Sequence, residues 1–178
     1  MTHPMKLPNH LDTKALSCRA VIETPKGRRC KYDLDRKTGL YRLKSLLPEG
    51  MSFPLDMGFV PSTLADDGDP VDIMVLADEP LAVGAFLDVR LIGVIEARET
   101  EDGKKERNDR VIGVAGLSLL YERVRDLDDL NKSFVDDLGK FWSQKAALDG
   151  KRFEVLAARG PHEAARMVKE GARRAKKG

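Results

Sequence analysis

Val71 to Ala77 reads VDIMVLA and Phe86 to Ala97 reads FLDVRLIGVIEA. Both are apolar and rich in β-branched residues, and the first is too short for a buried helix, so the pair predicts buried strands at the centre of the domain. Arg110 to Ala115 (RVIGVA) predicts a third, reached through the charged loop ETEDGKKERND, in which Asp102-Gly103 is a turn signal. Towards the N-terminus, Arg19 to Thr24, Arg28 to Leu34 and Leu40 to Leu47 alternate or cluster apolar residues. Pro25-Lys26-Gly27 and Lys37-Thr38-Gly39 separate them, which predicts an antiparallel meander. Residues 48–70, with Pro54, Pro61 and several glycines, read as irregular.

C-terminal to these strands, Leu127, Leu130, Phe134, Leu138, Phe141 and Leu148 recur at helical spacing and predict one helix ending near Gly150. Arg152 to Ala158 predicts a last strand, and the tail from His162 a short, solvated basic helix interrupted by Gly171. Several short strands with helices gathered at one end predict an α+β domain built round a small barrel. At 178 residues the chain suits one domain, 1–178, that buries roughly 70% of its unfolded surface.

Thirty-one basic and twenty-nine acidic residues nearly cancel, which argues against a nucleic-acid partner. No long apolar run suggests a membrane span. The start MTHPMKLPNHLDTK lacks a secretory pattern, so the expected location is cytoplasmic. Cys18 and Cys30 form no CxxC and read as reduced packing residues. His3, His10 and His162 lie near the two ends, which disfavours histidine catalysis and histidine-rich zinc sites. There is no GxSxG, GxxxxGK[ST] or GxGxxG, so the chemistry must come from carboxylates and cations.

Asp66-Asp67-Gly68-Asp69-Pro70-Val71-Asp72 places four carboxylates in seven residues at the mouth of a buried strand. Two carboxylates held about 4 Å apart repel by on the order of 4 kcal/mol at an effective dielectric of 20, so convergence calls for a divalent cation. Oxygen-only donors select Mg²⁺, Mn²⁺ or Ca²⁺ over zinc. Gly68 opens a backbone conformation closed to other residues and Pro70 fixes its own φ, so a tight turn can aim Asp67, Asp69 and Asp72 inward.

The segment Asp67 to Asp72, DGDPVD, resembles the signature of family I soluble inorganic pyrophosphatases. Around it, in that family's order, stand Ile22-Glu23-Thr24-Pro25, Lys31-Tyr32-Asp33-Leu34-Asp35, Phe53-Pro54, Gly58-Phe59-Val60-Pro61 and Thr63-Leu64, so the resemblance spans about residues 19 to 160. It implies an OB-like β-barrel flanked by C-terminal helices, a homo-oligomer (a hexamer in bacterial members), and Mg²⁺ with Mn²⁺ as substitute. The implied reaction is hydrolysis of pyrophosphate to two phosphates by a water bridging two metals.

Residue by residue, the resemblance makes Asp67 and Asp72 metal ligands and Asp69 the base that deprotonates the water. Glu23 corresponds to an acidic residue at a further metal, and Asp102 roughly matches another metal-site aspartate in a loop about one residue longer. Lys31 and Lys145 match phosphate-binding lysines; an anion of such charge calls for cations opposite the metals.

Departures are equally specific. The family's arginine after the third strand is Lys44, and its D-x-K segment reads Asn108-Asp109-Arg110, which puts a neutral side chain at a metal position unless Asp109 substitutes. Two phosphate-contacting tyrosines are replaced by Met57 and Gln144, and Asp33 stands where glutamate is usual. These changes leave open hydrolysis of another phosphoanhydride, or a catalytically weak metal-binding interaction protein.

Overall fold

A five-stranded ring organises the computed structural model, which describes residues 3–177. Strand β1 (Ser17–Thr24) pairs on one side with β4 (Asp56–Phe59) and on the other with β6 (Phe86–Glu101). β4 continues to β5 (Asp72–Leu76), β5 to β8 (Arg110–Ala115), and β8 returns to β6. Every pair is antiparallel except β5 with β8, where Ile73 stands opposite Val111 in parallel register. The parallel match puts the first residues of both strands, Asp72 and Arg110, side by side at one end of the ring. The distal half of β6 runs beyond the ring and carries β7 (Lys104–Arg107) and β9 (Arg152–Arg159).

β5 explains why its sequence is apolar throughout. Ile73 and Val75 enter one buried cluster, shared with Ala164, Ala165 and Val168 of helix α2 (Pro161–Ala175). Met74 and Leu76 enter a second, shared with Leu138, Trp142 and Ala146 of helix α1 (Phe134–Leu148). With a helix behind each face, neither set of side chains meets water. At the tip of the β6–β7 hairpin Asp102 and Gly103 both take left-handed backbone (φ 49° and 78°), as the Asp-Gly signal predicts.

Four elements differ from the sequence reading. The expected irregular stretch 48–70 contains β4, which lies so close to β1 that a Cβ on Gly58 would stand 1.9 Å from the Val21 carbonyl oxygen. The expected three-strand meander is split: β2 (Cys30–Leu34) and β3 (Tyr41–Leu46) form a separate hairpin, joined to β1 through the Thr24 hydroxyl, which accepts from the Tyr32 N–H at 3.0 Å. The helix expected from Leu127 begins at Phe134. Leu127 belongs to a 3₁₀ turn capped by Asp126, and Leu148 is exposed. The tail is neither solvated nor interrupted, because α2 is continuous through a buried Gly171.

Candidate active site

The open end of the ring, the β2–β3 hairpin and α1 enclose a cavity of about 880 Å³. Nine of the ten candidates from the sequence line it: Glu23, Lys31, Lys44, Asp67, Asp69, Asp72, Asn108, Arg110 and Lys145. Asp102 is not brought there; it sits exposed at the hairpin tip. Glu99, three residues earlier on β6, reaches the cavity instead. Strand alternation from Asp102 points to Thr100 and Arg98, not Glu99, so no signal in the sequence singles out Glu99; only the ring's geometry says which residue of β6 meets the cavity.

The acidic wall comes from three elements. Glu23 is the second-last residue of β1, and its Oε1 accepts the Leu34 N–H at 2.8 Å. Burial pushes its carboxyl up to about 7, the Leu34 bond opposes the shift, and the charges of Asp72 and Asp33 add to it. Asp72 opens β5 and lies deep among protein atoms, yet 41% of its side chain stays open because it faces the cavity. Burial raises its carboxyl too, against the pull of Arg110 and Lys31. Asp67 is raised by burial and by its neighbour Asp66, while its Oδ1 accepts the Asp69 N–H at 2.9 Å across the turn that Gly68 (φ 83°) makes possible. Asp69 is more open, and its Oδ1 is held by Arg36 of the β2–β3 turn, which also donates to the Gly68 carbonyl at 3.0 Å.

The cationic wall faces it. Lys44 Nζ lies 2.7 Å from Asp33 Oδ2 and Lys31 Nζ 4.0 Å from Asp33 Oδ1, so Asp33 is the shared counter-ion of two lysines. Lys145 of α1 is paired with Asp149 at 2.6 Å. Burial lowers the Lys31 ammonium, and the charges of Lys44 and Lys145 lower it further. Like charges thus crowd each wall, and both walls relax when cations enter one and an anion the other.

Between the walls runs a relay. Lys151 pairs with Glu99 Oε1 at 2.9 Å; Asn108 Nδ2 donates to Glu99 Oε2 at 3.2 Å; Arg110 Nη1 donates to Asn108 Oδ1 at 2.6 Å and stands 3.8 Å from Asp72 Oδ2. The buried Arg110 guanidinium rests 3.8 Å above the Trp142 ring, a desolvated stack that a lysine could not reproduce. Asp109 points away, its carboxylate accepting the Ala97 N–H and pairing with Arg107, so Asn108 and not Asp109 faces the cavity. Met57 lines the cavity, whereas Gln144 is exposed outside it.

The donor set suits a hard dication: oxygens only, anionic, partly desolvated and undercompensated. Among the described residues no three acidic, histidine or cysteine side chains close on one point.

The family model described as inorganic pyrophosphatase matches residues 20–176. An inorganic pyrophosphatase of Aquifex pyrophilus is 35% identical over 161 residues, covering 89% of each chain. One from Geobacillus stearothermophilus is 32% identical over 151 residues, 85% of this chain and 89% of that protein. The crystal structure of the Thermus thermophilus inorganic pyrophosphatase superposes with a TM-score of 0.89 at 30% identity, over 98% of this chain and 99% of that one.

Proposed function

We propose, on the premise that this chain belongs to the inorganic pyrophosphatase family, that it hydrolyses pyrophosphate to two phosphates in the cavity between the carboxylate and lysine walls. The observation that carries the reading is the facing of a carboxylate wall and a lysine wall across one cavity, where burial first and like charges second disfavour the ionised forms of Glu23 and Lys31. Asp67, Asp72 and Glu23 would hold Mg²⁺, or Mn²⁺ in its place, with Asn108 as a neutral oxygen donor. Bound there, the ions would neutralise the phosphates and acidify the attacking water. Asp102, at its distance from the cavity, would act only if the hairpin folded inward, and Glu99 takes its place in this reading.

Asp69 would accept the proton of the attacking water. Arg36 occupies its Oδ1 and leaves Oδ2 for that proton. Lys31, Lys44 and Lys145 would hold the departing phosphate and offset the charge that gathers on it as the P–O bond breaks. Arg110, fixed by Trp142, would present its guanidinium to the same anion; it holds Asn108 Oδ1, so Asn108 would give that oxygen to a metal only as Arg110 turns to the anion. The balance is one water consumed: its hydroxyl joins one phosphorus, the bridging oxygen leaves with the other phosphate, and the water's proton passes through Asp69 to that leaving phosphate or to solvent.

Phosphate release from pyrophosphate with Mg²⁺ or Mn²⁺ tests this. The wild type is expected to turn over, and Asp69→Asn to lose about 10²-fold or more, the range of a general base. An inert wild type that gains activity on Asn108→Asp would instead mark a metal-binding relative without turnover. Because apolar Met57 lines the wall, tripolyphosphate and nucleoside triphosphates belong in the same assay; a faster rate on these would reassign the substrate.

No described helix is long and apolar enough to cross a membrane, and we place the enzyme in the cytoplasm. We also assign it a homo-oligomeric state, a hexamer by resemblance. Leu117, Leu119 and Leu120 are 95%, 79% and 74% exposed on a loop that the Asp78 carboxylate pins through the Ser118 hydroxyl and the Leu119 N–H, an apolar patch held rigid in water. Light scattering is expected to return the mass of six chains, and a smaller mass for Leu119→Asp; a wild-type monomer would refute the assignment.

A further inference from the structure

The last turns of α2 lie against the acidic loop, and they are tied to it at both polar groups of one residue. The Leu64 N–H donates to the Gly171 carbonyl at 3.0 Å, and the Leu64 carbonyl accepts from Arg174 Nε at 2.9 Å. Arg174 Nη1 then reaches Asp66 Oδ1 at 2.7 Å. The approach is close enough that a Cβ on Gly171 would stand 2.7 Å from Val71 Cγ2 and 3.3 Å from the Leu64 oxygen. The base of the same loop is closed by Thr63, whose hydroxyl donates to the Val60 carbonyl at 2.6 Å and accepts the Val71 N–H at 3.0 Å.

The four carboxylates of residues 66–72 are thereby divided. Asp67, Asp69 and Asp72 line the large cavity, whereas Asp66 does not. It lines only a second cavity of about 220 Å³ on the α2 side, which Asp67 and Asp72 also border, and Arg174 holds it there. Asp66 is nonetheless near enough to Asp67 for its charge to be felt there. Without its partner, a carboxylate one residue from a metal position is a competing ligand and a source of repulsion, and both effects distort a site whose donors must be set to a fraction of an ångström.

We propose that Arg174 is a positioning residue for the dication site: it draws Asp66 away from the cavity and clamps Leu64, and so fixes where Asp67 and Asp72 stand. The proposal rests on the metal-dependent reading of the cavity given above. It gives the basic C-terminal helix a task about 100 residues away in sequence, and it makes Gly171 the point that allows helix and loop to meet.

The test is direct Mn²⁺ binding to the full chain without substrate, by electron paramagnetic resonance, alongside thermal melting of the metal-free protein. Arg174→Gln is expected to weaken Mn²⁺ about 10-fold, the lower end of what removing an orienting partner costs a metal site. Arg174→Lys should recover part of that loss, since a cation still reaches Asp66. Asp66→Asn combined with Arg174→Gln should also recover part, because the competing charge is gone although the Leu64 clamp is not restored. Neither recovery is expected if Arg174 only adds stability. Wild-type Mn²⁺ affinity in Arg174→Gln, or failure of both second changes to restore any of it, overturns the proposal. A wild type that binds no Mn²⁺ fails at an earlier step and sinks the metal reading itself.

Discussion

Asp72→Asn is expected to lower kcat/KM for pyrophosphate by at least about 10³-fold, or about 4 kcal/mol of transition-state stabilisation. The change is isosteric, so packing at the start of β5 survives. What disappears is the charge at the centre of the acidic wall, beside Glu23 and Asp67 and opposite Arg110. The same substitution should leave the metal-free protein about as stable as before, because relief of repulsion among Glu23, Asp67 and Asp72 is set against loss of the charge that faces buried Arg110 at 3.8 Å. The two results together separate a functional residue from a structural one. In the wild type, Mg²⁺ at 100 times its Kd should add about 2.7 kcal/mol, seen as a rise in Tm of about 5–10 °C for a chain of this size. Asp72→Asn should lose most of that rise. Activity within tenfold of wild type, or an undiminished Tm rise, would remove Asp72 from the metal wall.

Gly58→Ala is expected to be the most damaging single methyl in the chain. Ile22 and Gly58 are register partners on β1 and β4, and the new Cβ would fall 1.9 Å from the Val21 carbonyl oxygen, which is backbone and cannot rotate aside. The two strands would have to part along a seam of the ring, with Val21, Ile22 and Phe59 buried on either side. A loss of more than about 4 kcal/mol belongs to this class of strain, enough to erase much of a domain's stability. Urea denaturation measures it through the midpoint; an unchanged midpoint would mean that β1 and β4 lie farther apart than described.

The pattern of what was legible in the sequence follows from range. Asp102-Gly103, Gly68 and the apolar runs of β5 and β8 act through neighbours in sequence, and their roles emerge as read. Gly58 stands in a segment that carries the resemblance, but its tight approach is not readable, because the Val21 oxygen is far away in sequence and nothing local marks β4 as a strand between Pro54 and Pro61. Leu127 and Leu130 mimic a helix because they pack on the same cluster as α1, although Asp126 caps a separate 3₁₀ turn there. The tail looked solvated because arginine and lysine dominate its composition. The small residues Ala164, Ala165 and Gly171 form the face that docks, and small size is a weak signal until the surface it meets is known.

The site was legible through the DGDPVD segment and its satellites, and nine of the ten candidate side chains do share one cavity. The exception, Asp102, lies exposed at the tip of the hairpin, outside the cavity. Glu99 is found only in the folded chain, where it lines the cavity held by Lys151 and Asn108. Arg110 shows the converse. Its stack on Trp142 joins two positions more than thirty residues apart, and no spacing in either segment announces it.

The parallel pairing of β5 with β8 has a consequence for how the protein folds. Two strands running the same way cannot be joined by a short hairpin, and here the whole β6–β7 excursion intervenes before Arg110 arrives beside Asp72. Their meeting is a high-separation contact, costly in loop-closure entropy and late to form. An opened or half-closed chain therefore has carboxylates and cations but no chamber between them, and a ligand that needs both can recognise only the finished molecule.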